Sequence, residues 1–536
     1  MELHATAFVP KPIRIVVIGA GISGIQFLKD ATTRLPNVSI TIYDKNSQEG
    51  GTWAENRYPG CACDIPSHAY QYSWNPNPRW SRLYAEAAEI LEYLKSTVTK
   101  FNLRRYMQFS TTCTGANWDE TNSEWNVTLQ RNNTPEEIAV KCDVFIIAIG
   151  RLNNWKLPEI QGLDTFQGRV IHTADWPQCL DYHGKDIAVI GNGASSTQCL
   201  ASLYEDARSI GNFIRGPTWL VPHVFSRNGE AQVSYPQDLI KKFETEPDLY
   251  FQFRLQIEKK LACSFNGLWR NSNAAQEFTE NAKQHMMKNI RDPQALEALV
   301  PTDYKAGCRR FTPADKYIEA LNRSNVELIS TPIKQVERNS IITTDNQRRA
   351  YDIIVCGTGF EPYLPRFPIK GRGTVNLSDL WSENGGYESY LAATVAGFPN
   401  LFVFNPPICP VNGSAYPGIE RTSDYIIRVI DRVQKDRLRS VCVKQSAQGA
   451  FNQWVQSCMP EMVWSEPCTS WYKGTNKKVI VPWPGTILHY YAATEIVRWE
   501  DYDLEFDDKK QKFASFGNGI TIEGFTPDKI PWLLRN

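Results

Sequence analysis

A glycine-rich segment between an apolar run and a helix-like stretch constrains the fold of this chain more than any other feature. In IRIVVIGAGISGIQFLKD, the β-branched run Ile13–Ile18 leads to Gly19, Gly21 and Gly24, spaced as G-x-G-x-x-G. The first two glycines let the backbone turn sharply and approach a pyrophosphate, and the third lets the helix pack closely on the strand. Free N–H groups at the helix N-terminus then face the anion. The segment therefore predicts a strand, a tight turn and a helix that bind a dinucleotide.

The next strand-like run makes this interpretation specific. VSITIYD ends at Asp44, about 20 residues after the third glycine, where an acid accepts hydrogen bonds from a ribose hydroxyl. A G-x-G-x-x-G pattern alone is a weak signal, and the acid at this spacing supplies the context that it needs.

A second copy of the pattern lies in KDIAVIGNGASSTQCLASL. Ile187–Ile190 is the strand-like run, Gly191 and Gly193 fill the first two glycine positions, and Ser196 takes the third. A small hydroxyl residue leaves the half of the loop that faces the phosphates intact. We therefore predict a second dinucleotide site, which also includes Ser195.

The residue that follows the second loop carries the opposite charge. About 20 residues later the chain reads NFIRGPTW, and Arg215 stands where the first site has an acid. A cation at this position favours a ribose 2′-phosphate, which an acid would repel. The second site is therefore expected to prefer NADPH to NADH, and the unphosphorylated ribose of FAD suits the first site. The two loops together predict a protein that binds FAD and NADPH.

Length and composition set wider limits. At 536 residues the chain exceeds what one hydrophobic core supports, so at least two domains are expected. Lys and Arg together number 58, and Asp and Glu together also number 58. This charge balance gives no indication of a nucleic-acid partner. No apolar run is long enough to span a bilayer, and the N-terminal residues do not resemble a signal peptide. We expect a cytoplasmic protein without a transmembrane segment, as a monomer or a weak oligomer.

The cysteines give a separate expectation. There are 13, an odd number, and no two of them form a C-x-x-C pair. This pattern favours reduced cysteines packed in the interior over disulfide bonds or a metal site.

Two further segments complete the predicted organisation. DVFIIAIG and YDIIVCGTGF each place a buried-type strand before a glycine, which is typical of parallel strands that leave a sheet. A later stretch has helix-like spacing and charge pairs, and it predicts a helical insertion. The expected fold class is α/β, with two Rossmann-like dinucleotide-binding domains, for FAD and NADPH, and a helical insertion in the NADPH domain. The FAD domain is expected in two parts, 1–150 and 361–536, and the second part also carries the substrate-pocket loops. The NADPH domain is expected at 151–225 and 308–360, with the helical insertion between them at 226–307.

Two longer motifs resemble those of Baeyer–Villiger monooxygenases, FAD- and NADPH-dependent enzymes that insert oxygen next to a ketone carbonyl. FQGRVIHTADWP matches the family fingerprint F-x-G-x-x-x-H-x-x-x-W-P through Phe166, Gly168, His172, Trp176 and Pro177. GGTWAENRYPGCACD matches a second signature, whose residues the resemblance places at FAD: Gly51, Thr52, Trp53, Tyr58 and Asp64. The closing W-P pair favours this branch over the flavin N- and S-oxygenases. The last part of the chain is similar to fungal members that act in secondary metabolism.

The resemblance also implies roles for residues in GCRRF and TSWYKG. Arg310 takes the position of the family's catalytic arginine, which pairs with Asp64 and stabilises the negatively charged flavin peroxide and its adduct with the ketone. Arg309 takes a lysine position and joins Arg215 on the 2′-phosphate. Trp471 matches a tryptophan close to the nicotinamide nucleotide.

Three residues depart from the family pattern. Ser196 replaces a glycine, Gly216 replaces a threonine, and Arg309 replaces a lysine. We expect NADPH preference to persist, because an arginine supplies the same charge in a more rigid fork. We expect His172 to make structural hydrogen bonds in a linker between the two sheets, because the reaction requires no side-chain base.

Two alternative functions stay open. A flavin N- or S-oxygenase would share both dinucleotide sites, and a flavoprotein redox sensor would keep the fold without oxygenation. For the main hypothesis the small-molecule partners are a ketone and O2, and no metal is expected. The sequence does not specify which ketone is the substrate.

Overall fold

The computed structural model describes residues 6–223, 234–363, 365–508 and 512–521. Its strands, numbered β1 to β21 in chain order, are Ile13–Ile18, Val38–Tyr43, Met107–Gln108, Thr111–Asp119, Glu124–Arg131, Glu137–Cys142, Val144–Ile147, Arg169–His172, Asp186–Ile190, Ser209–Phe213, Leu220–Val221, Thr312–Pro313, Val326–Ile329, Ile333–Glu337, Ser340–Thr343, Arg348–Ala350, Ile353–Cys356, Ile369–Lys370, Leu401–Val403, Leu438–Val443 and Tyr502–Phe506.

The α-helices, numbered α1 to α13 in the same way, are Ile22–Arg34, Thr52–Glu55, Ala87–Lys100, Ala194–Leu203, Gln237–Thr245, Pro247–Cys263, Asn273–Asn289, Pro293–Leu299, Asp315–Leu321, Leu377–Leu380, Ala415–Lys435, Gln445–Cys458 and Ile487–Ala493. Among the described residues, no helix combines the length and the apolar character needed to cross a membrane.

The first glycine loop belongs to a five-stranded parallel sheet with the order β19-β7-β1-β2-β3. Strand β1 is central, and its residues Ile15, Val16 and Val17 are all buried. Burial of consecutive apolar residues is typical of a parallel strand that is covered on both faces. The strand order reverses at β1, and ligands of open α/β sheets bind at the carboxyl edge beside such a point.

The second glycine loop follows β9 in another five-stranded sheet, with the order β13-β10-β9-β17-β8. All pairs in this sheet are parallel. The two strands expected to leave a parallel sheet, β7 and β17, lie one in each sheet. The prediction of an α/β fold with two Rossmann-like sheets is therefore confirmed.

The fingerprint segment, residues 166–177, was predicted to be a linker between the two sheets, and part of it is also a strand. Residues Arg169–His172 form β8, the edge strand of the second sheet, and pair with β17. A four-residue run has too few positions for a recognisable strand pattern, and its partner lies far along the chain. The segment thus joins the two sheets and also belongs to one of them.

Further strands, most of them antiparallel, add smaller sheets that we did not predict. The largest has the order β18-β4-β5-β6, and a second has the order β14-β15-β16. Trp125 on β5 is fully buried, and its indole Nε1 donates to the carbonyl oxygen of Pro399 at 2.8 Å. This bond ties the first of these sheets to the segment that leads into β19.

The insertion expected at 226–307 contains α5 to α8, and its first residues, 226–233, lie outside the described residues. It packs on the first half of the chain around His68. Four aromatic rings surround the imidazole with centroid distances between 4.9 and 5.5 Å: Tyr235, Phe243, Tyr250 and Phe253. Burial in this cluster lowers the pKa of His68 to about 3, so the ring is neutral near pH 7.

The expectation that the cysteines are all reduced is wrong for one pair. Cys308 and Cys468 form a disulfide bond across 160 residues of sequence, with Cα atoms 6.2 Å apart. Sequence spacing gives no sign of this bond, because the pairing depends on where the fold brings the two segments. The bond joins the residue before Arg309 to the segment that carries Trp471.

Candidate active site

A cavity of about 420 Å³ lies at the first glycine loop. Its lining combines distant parts of the chain, including the loop itself, residues of the 50–65 segment, residues 148–153 after β7, Arg310 and Trp471. The volume lies within the range of roughly 300 to 1,000 Å³ that small-molecule sites occupy. The described residues contain no group of three or more His, Cys, Asp or Glu side chains that could hold a metal ion.

The first loop has the geometry that its glycines predict. Gly19 has φ of +109°, which side chains other than glycine rarely allow. A Cβ atom on Gly24 would overlap the carbonyl oxygen of Gly19. Gly21 and Gly51 face each other, since a Cβ atom on Gly51 would lie 3.0 Å from Cα of Gly21. The loop and the signature segment, residues 50–64, are therefore in close backbone contact.

Asp44 holds this loop to the end of β2. Its Oδ2 accepts from the backbone N–H of Ala20 at 2.7 Å, and Oδ1 accepts from that of Asn46 at 2.8 Å. Burial raises the pKa of Asp44, and the two N–H donors oppose that rise. Asp44 also lines the cavity. Because each carboxylate oxygen has a second lone pair, the side chain can accept from a ribose hydroxyl as well.

The second loop accommodates its departure from the glycine pattern. Gly191 has φ of +120°, whereas Gly193 is the N-cap of α4, with extended backbone. The hydroxyl of Ser196 donates to the carbonyl oxygen of Gly357 at 3.1 Å, and a Cβ atom on Gly357 would overlap the serine side chain. The serine at the third glycine position is thus matched by a glycine at the end of β17.

Helix α4 connects the second loop to the signature segment through Gln198, which sequence reasoning missed. Gln198 accepts from the Tyr58 hydroxyl at 2.8 Å and donates to the carbonyl oxygen of Ala62 at 3.1 Å. Ser195, on the same helix, also lies beside Tyr58. A glutamine on a helix carries no signal of its own, so only the packing of the two domains reveals this contact.

Arg310 and Asp64 form a bidentate ion pair at the cavity. Nε of Arg310 donates to Oδ2 of Asp64 at 2.8 Å, and Nη2 donates to Oδ1 at 2.6 Å. Burial alone would raise the pKa of Asp64, but the Arg310 guanidinium holds that pKa below its ordinary value. The Arg310 side chain remains 43% exposed, and it lines the cavity. The fork is therefore oriented by the carboxylate and accessible to a ligand.

Arg309 turns the other way, toward the second dinucleotide loop. Its Nη1 donates to the carbonyl oxygen of Pro217 at 3.1 Å, two residues after the exposed Arg215. The carbonyl oxygen of Gly216, which follows Arg215, accepts from the Asn192 side chain in the second loop at 2.8 Å. Both arginines therefore lie at one edge of the second sheet, near the loop.

The remaining signature residues lie around the cavity. Trp53 lines it and donates through Nε1 to the Tyr70 hydroxyl at 3.2 Å. Thr52 is exposed at the first position of α2. Trp471 is half-buried and lines the same cavity.

The fingerprint residues lie in the second sheet and its core, and none of them lines the cavity. Phe166 and Trp176 are buried, and a Cβ atom on Gly168 would overlap the carbonyl oxygen of Asp352. His172 is 2% exposed, and its Nδ1 accepts from the backbone N–H of Ala174 at 3.1 Å. Pro177 follows Trp176 at the end of the segment.

The His172 ring stacks on Trp155, with centroids 4.8 Å apart and planes 10° from parallel. Trp155 itself pairs with Phe360, which follows β17. Burial lowers the pKa of His172, so the imidazole is neutral near pH 7. These contacts anchor the connection between the two sheets.

Arg151 is a second cavity residue that sequence reasoning missed. It follows β7 and Gly150, lines the cavity, and donates to Sγ of Cys409 at 2.7 Å. Its Cζ atom lies 5.7 Å from the ring centre of Trp471. Its place directly after a strand–glycine segment is visible in the sequence, but that place alone does not reveal these contacts.

Comparisons with known proteins show the family of the chain and its fold. The model of the flavin-binding monooxygenase-like family matches residues 12–369. The FAD-binding monooxygenase moxY of Dothistroma septosporum is 35% identical over 96% of this chain and 83% of its own length. A Baeyer–Villiger monooxygenase of Streptomyces coelicolor is 31% identical over 92% of each chain. The crystal structure of cyclohexanone monooxygenase from Rhodococcus sp. Phi1 bound to NADP+ superposes with a TM-score of 0.81 and 25% identity, covering 93% of this chain and 100% of that one.

Proposed function

We propose, from the premise that the chain belongs to the flavin-binding monooxygenase-like family, that it is a Baeyer–Villiger monooxygenase dependent on FAD and NADPH. The reaction inserts one oxygen atom of O2 next to the carbonyl of a small-molecule ketone and gives an ester or a lactone. The observation that carries this proposal is the bidentate Arg310–Asp64 pair at a cavity lined by the first glycine loop. The closing segment, which resembles fungal enzymes of secondary metabolism, supports a role in a fungal biosynthetic pathway.

The residues around the cavity fit FAD. The close backbone approach at Gly21 and Gly51 leaves N–H groups for a pyrophosphate, and Asp44 has lone pairs for the adenosine ribose. Thr52, Trp53 and Tyr58 would contact the rest of the cofactor. Once bound and reduced, FAD supplies the oxygen-activating chemistry.

The second loop fits NADPH. Gly191, Gly193, Ser195 and Ser196 would receive the pyrophosphate at the N-terminus of α4. The positive charges of Arg215 and Arg309 favour a 2′-phosphate. Trp471 would lie near the nicotinamide. The helix α4 also contacts the signature segment through Gln198, so the two cofactors would be held in one continuous structure.

Arg310 has donors to offer a reacting oxygen. Asp64 occupies Nε and one Nη2 hydrogen, which leaves the Nη1 hydrogens and the second Nη2 hydrogen for a ligand. When oxygen is transferred, the ketone oxygen gains negative charge, and these donors stabilise it. A guanidinium keeps its proton near neutral pH, so Arg310 stabilises charge without acting as an acid. Asp64 fixes the orientation of the fork.

We assign His172 a positioning role. It lies in the second sheet, outside the cavity lining, and its contacts with Trp155 and Ala174 hold the connection between the sheets. The reaction requires no side-chain base, and the neutral imidazole is consistent with that.

The experiment that tests the function is a panel assay of the FAD-loaded protein with NADPH and O2. Ketones, tertiary amines and thioethers are compared by NADPH consumption and by mass spectrometry of the products. The proposal expects ketone-dependent esters or lactones. Oxygenation confined to amines and sulfides would indicate an N- or S-oxygenase, and NADPH oxidation without any oxygenated product would indicate a redox protein.

A further inference from the structure

Arg151 carries a positive charge that forms no ion pair with a carboxylate among the described residues. It lines the cavity and is half-buried, and the side chains that act most strongly on its charge are Cys409, Tyr363 and Tyr472. Its immediate partners are the Cys409 sulfur at 2.7 Å, the Tyr363 side chain and the Trp471 ring. Each of these is a neutral group in its ordinary state.

Burial keeps these partners neutral. It raises the pKa of the Cys409 thiol above its ordinary value, although the nearby guanidinium opposes that rise. Burial also raises the pKa of Tyr363 and of Tyr472, the next tyrosine in the same environment. None of the three supplies a negative charge near neutral pH.

Arg151 lies in the same part of the cavity as Arg310. Tyr472 contacts the Trp471 ring at a centroid distance of 4.6 Å and interacts electrostatically with both guanidinium groups. Asp64 uses both of its oxygens for Arg310. Arg151 therefore lacks a carboxylate in ion-pair contact among the described residues, and a partly buried charge without such a partner is costly unless a ligand supplies the opposite charge.

We propose that Arg151 binds an anionic oxygen of the substrate, a carboxylate or an ionised phenol, so that the enzyme is selective for acidic ketones. This inference rests on the proposed function and specifies its substrate class. A planar guanidinium suits either group, because it donates parallel hydrogen bonds to a carboxylate and single bonds to a phenolate. The same contact would fix the distance between the acidic group and the carbonyl that faces Arg310.

The test compares matched ketones on the FAD-loaded wild type, Arg151→Gln and Arg151→Lys. The carboxylate arm uses 4-acetylbenzoate against 4-acetylbenzamide, and the phenolate arm uses 4-acetyl-2,6-difluorophenol against its methyl ether. Arg105→Gln, an exposed arginine outside the cavity lining, is the control. Binding to the oxidised holoenzyme is followed by flavin absorbance, and kcat and KM are measured for each ketone.

The wild type should favour the anionic member of at least one pair by about tenfold in binding and in kcat/KM, mainly through KM. Arg151→Gln should abolish that preference, Arg151→Lys should retain part of it, and Arg105→Gln should match the wild type. Equal binding of charged and neutral ketones by the wild type overturns the proposal. An unchanged preference for the anionic ketone in Arg151→Gln also overturns it. If that variant keeps the preference and shifts the flavin midpoint potential, the Arg151 guanidinium acts on the cofactor instead.

The binding measurement separates this inference from the proposed function. If anionic ketones bind through Arg151 but no ketone is converted, the anion site stands and the Baeyer–Villiger reaction does not. If neutral and anionic ketones are oxygenated equally well, the reaction stands and the anion site does not. Flavin content and thermal unfolding of each variant show whether its fold is retained.

Discussion

Arg310 and Asp64 are 246 residues apart in sequence and meet in one bidentate ion pair. Their pairing gives the site a guanidinium that is fixed in orientation and still accessible to a ligand. Arg151 and Arg310 line the same cavity, but within the described parts of the chain only Arg310 forms an ion pair with a carboxylate. Among individual residues, the charged groups that can bind a ligand are those that the fold leaves accessible.

Arg310→Ala should bind FAD normally and lose oxygenation. We expect kcat for ketone oxygenation to fall about 10²- to 10³-fold, because removing an oxyanion donor costs about 3 to 4 kcal/mol in the transition state. Product formation and flavin absorbance are measured together. Arg323→Ala, at an exposed residue after α9 that is paired with Glu319, is the matched control and should behave as wild type. Undiminished ketone oxygenation by Arg310→Ala would remove this residue from the mechanism.

Arg215→Ala should weaken NADPH binding selectively. We expect KM for NADPH to rise about 10- to 100-fold, because a charge-assisted hydrogen bond to the 2′-phosphate contributes about 1.5 to 3 kcal/mol. KM for NADH should stay the same, since NADH lacks that phosphate. Steady-state kinetics with both nucleotides checks the difference, and equal increases for both would show that Arg215 acts on the fold of the loop instead.

The sequence could identify those residues whose signal is local. The glycine loops, Asp44 and Arg215 stand at fixed spacings, and the motifs carried by the family resemblance point to Arg310. Arg151 and Gln198 could not be identified in this way. Their importance comes from what surrounds them in three dimensions. Arg151 lies in the cavity without an ion-paired carboxylate among the described residues, and Gln198 contacts the segment beside the first glycine loop.

At the scale of elements, short segments take their roles from partners far along the chain. Strand β8 is only four residues long and becomes a strand because β17 pairs with it. The Cys308–Cys468 bond likewise connects segments 160 residues apart. Local patterns predicted the long strands beside the glycine loops, whereas these contacts depend on the assembled fold.

The disulfide should stabilise the segment that precedes Arg309 and Arg310. Replacing both cysteines, Cys308→Ser with Cys468→Ser, should lower the free energy of unfolding by about 2 to 4 kcal/mol, the usual contribution of a disulfide that closes a long loop. Chemical denaturation of the variant measures the loss. Cys179→Ser, at an exposed free cysteine, should have no effect. An unchanged stability of the double variant would mean that the bond adds nothing to the fold.

The His68 cluster should make stability depend on pH. Because burial lowers the folded-state pKa of His68 to about 3, its contribution is complete above an unfolded pKa of about 6.5 and is lost as the pH falls toward 3. Between pH 7.5 and 5 this loss should be about 2 kcal/mol. His68→Gln, which cannot titrate, should lose correspondingly less stability over that range in denaturant unfolding.

The exposed His183 provides the control for this measurement. His183→Gln should keep the pH dependence of the wild type. If His68→Gln also shows the pH dependence of the wild type, protonation of the His68 imidazole does not account for the loss of stability at acid pH.

At the scale of the whole molecule, two parallel sheets bring two dinucleotide loops to one connected site. Helix α4 from the second loop contacts the signature segment beside the first, and the fingerprint segment joins the sheets. The α/β class and the paired loops could be predicted from the sequence because each depends on a local strand–turn–helix pattern. The smaller antiparallel sheets and the docking of the insertion depend on tertiary packing, which the sequence pattern does not encode.

Isotope labelling shows whether the protein inserts one oxygen atom of O2 next to a carbonyl. The FAD-loaded protein is supplied with NADPH, a converted ketone and ¹⁸O2, and the product is analysed by mass spectrometry. We expect an ester or lactone that contains one ¹⁸O atom, located in the new C–O–C linkage. A product without the label, or label recovered only in hydrogen peroxide and water, would contradict it.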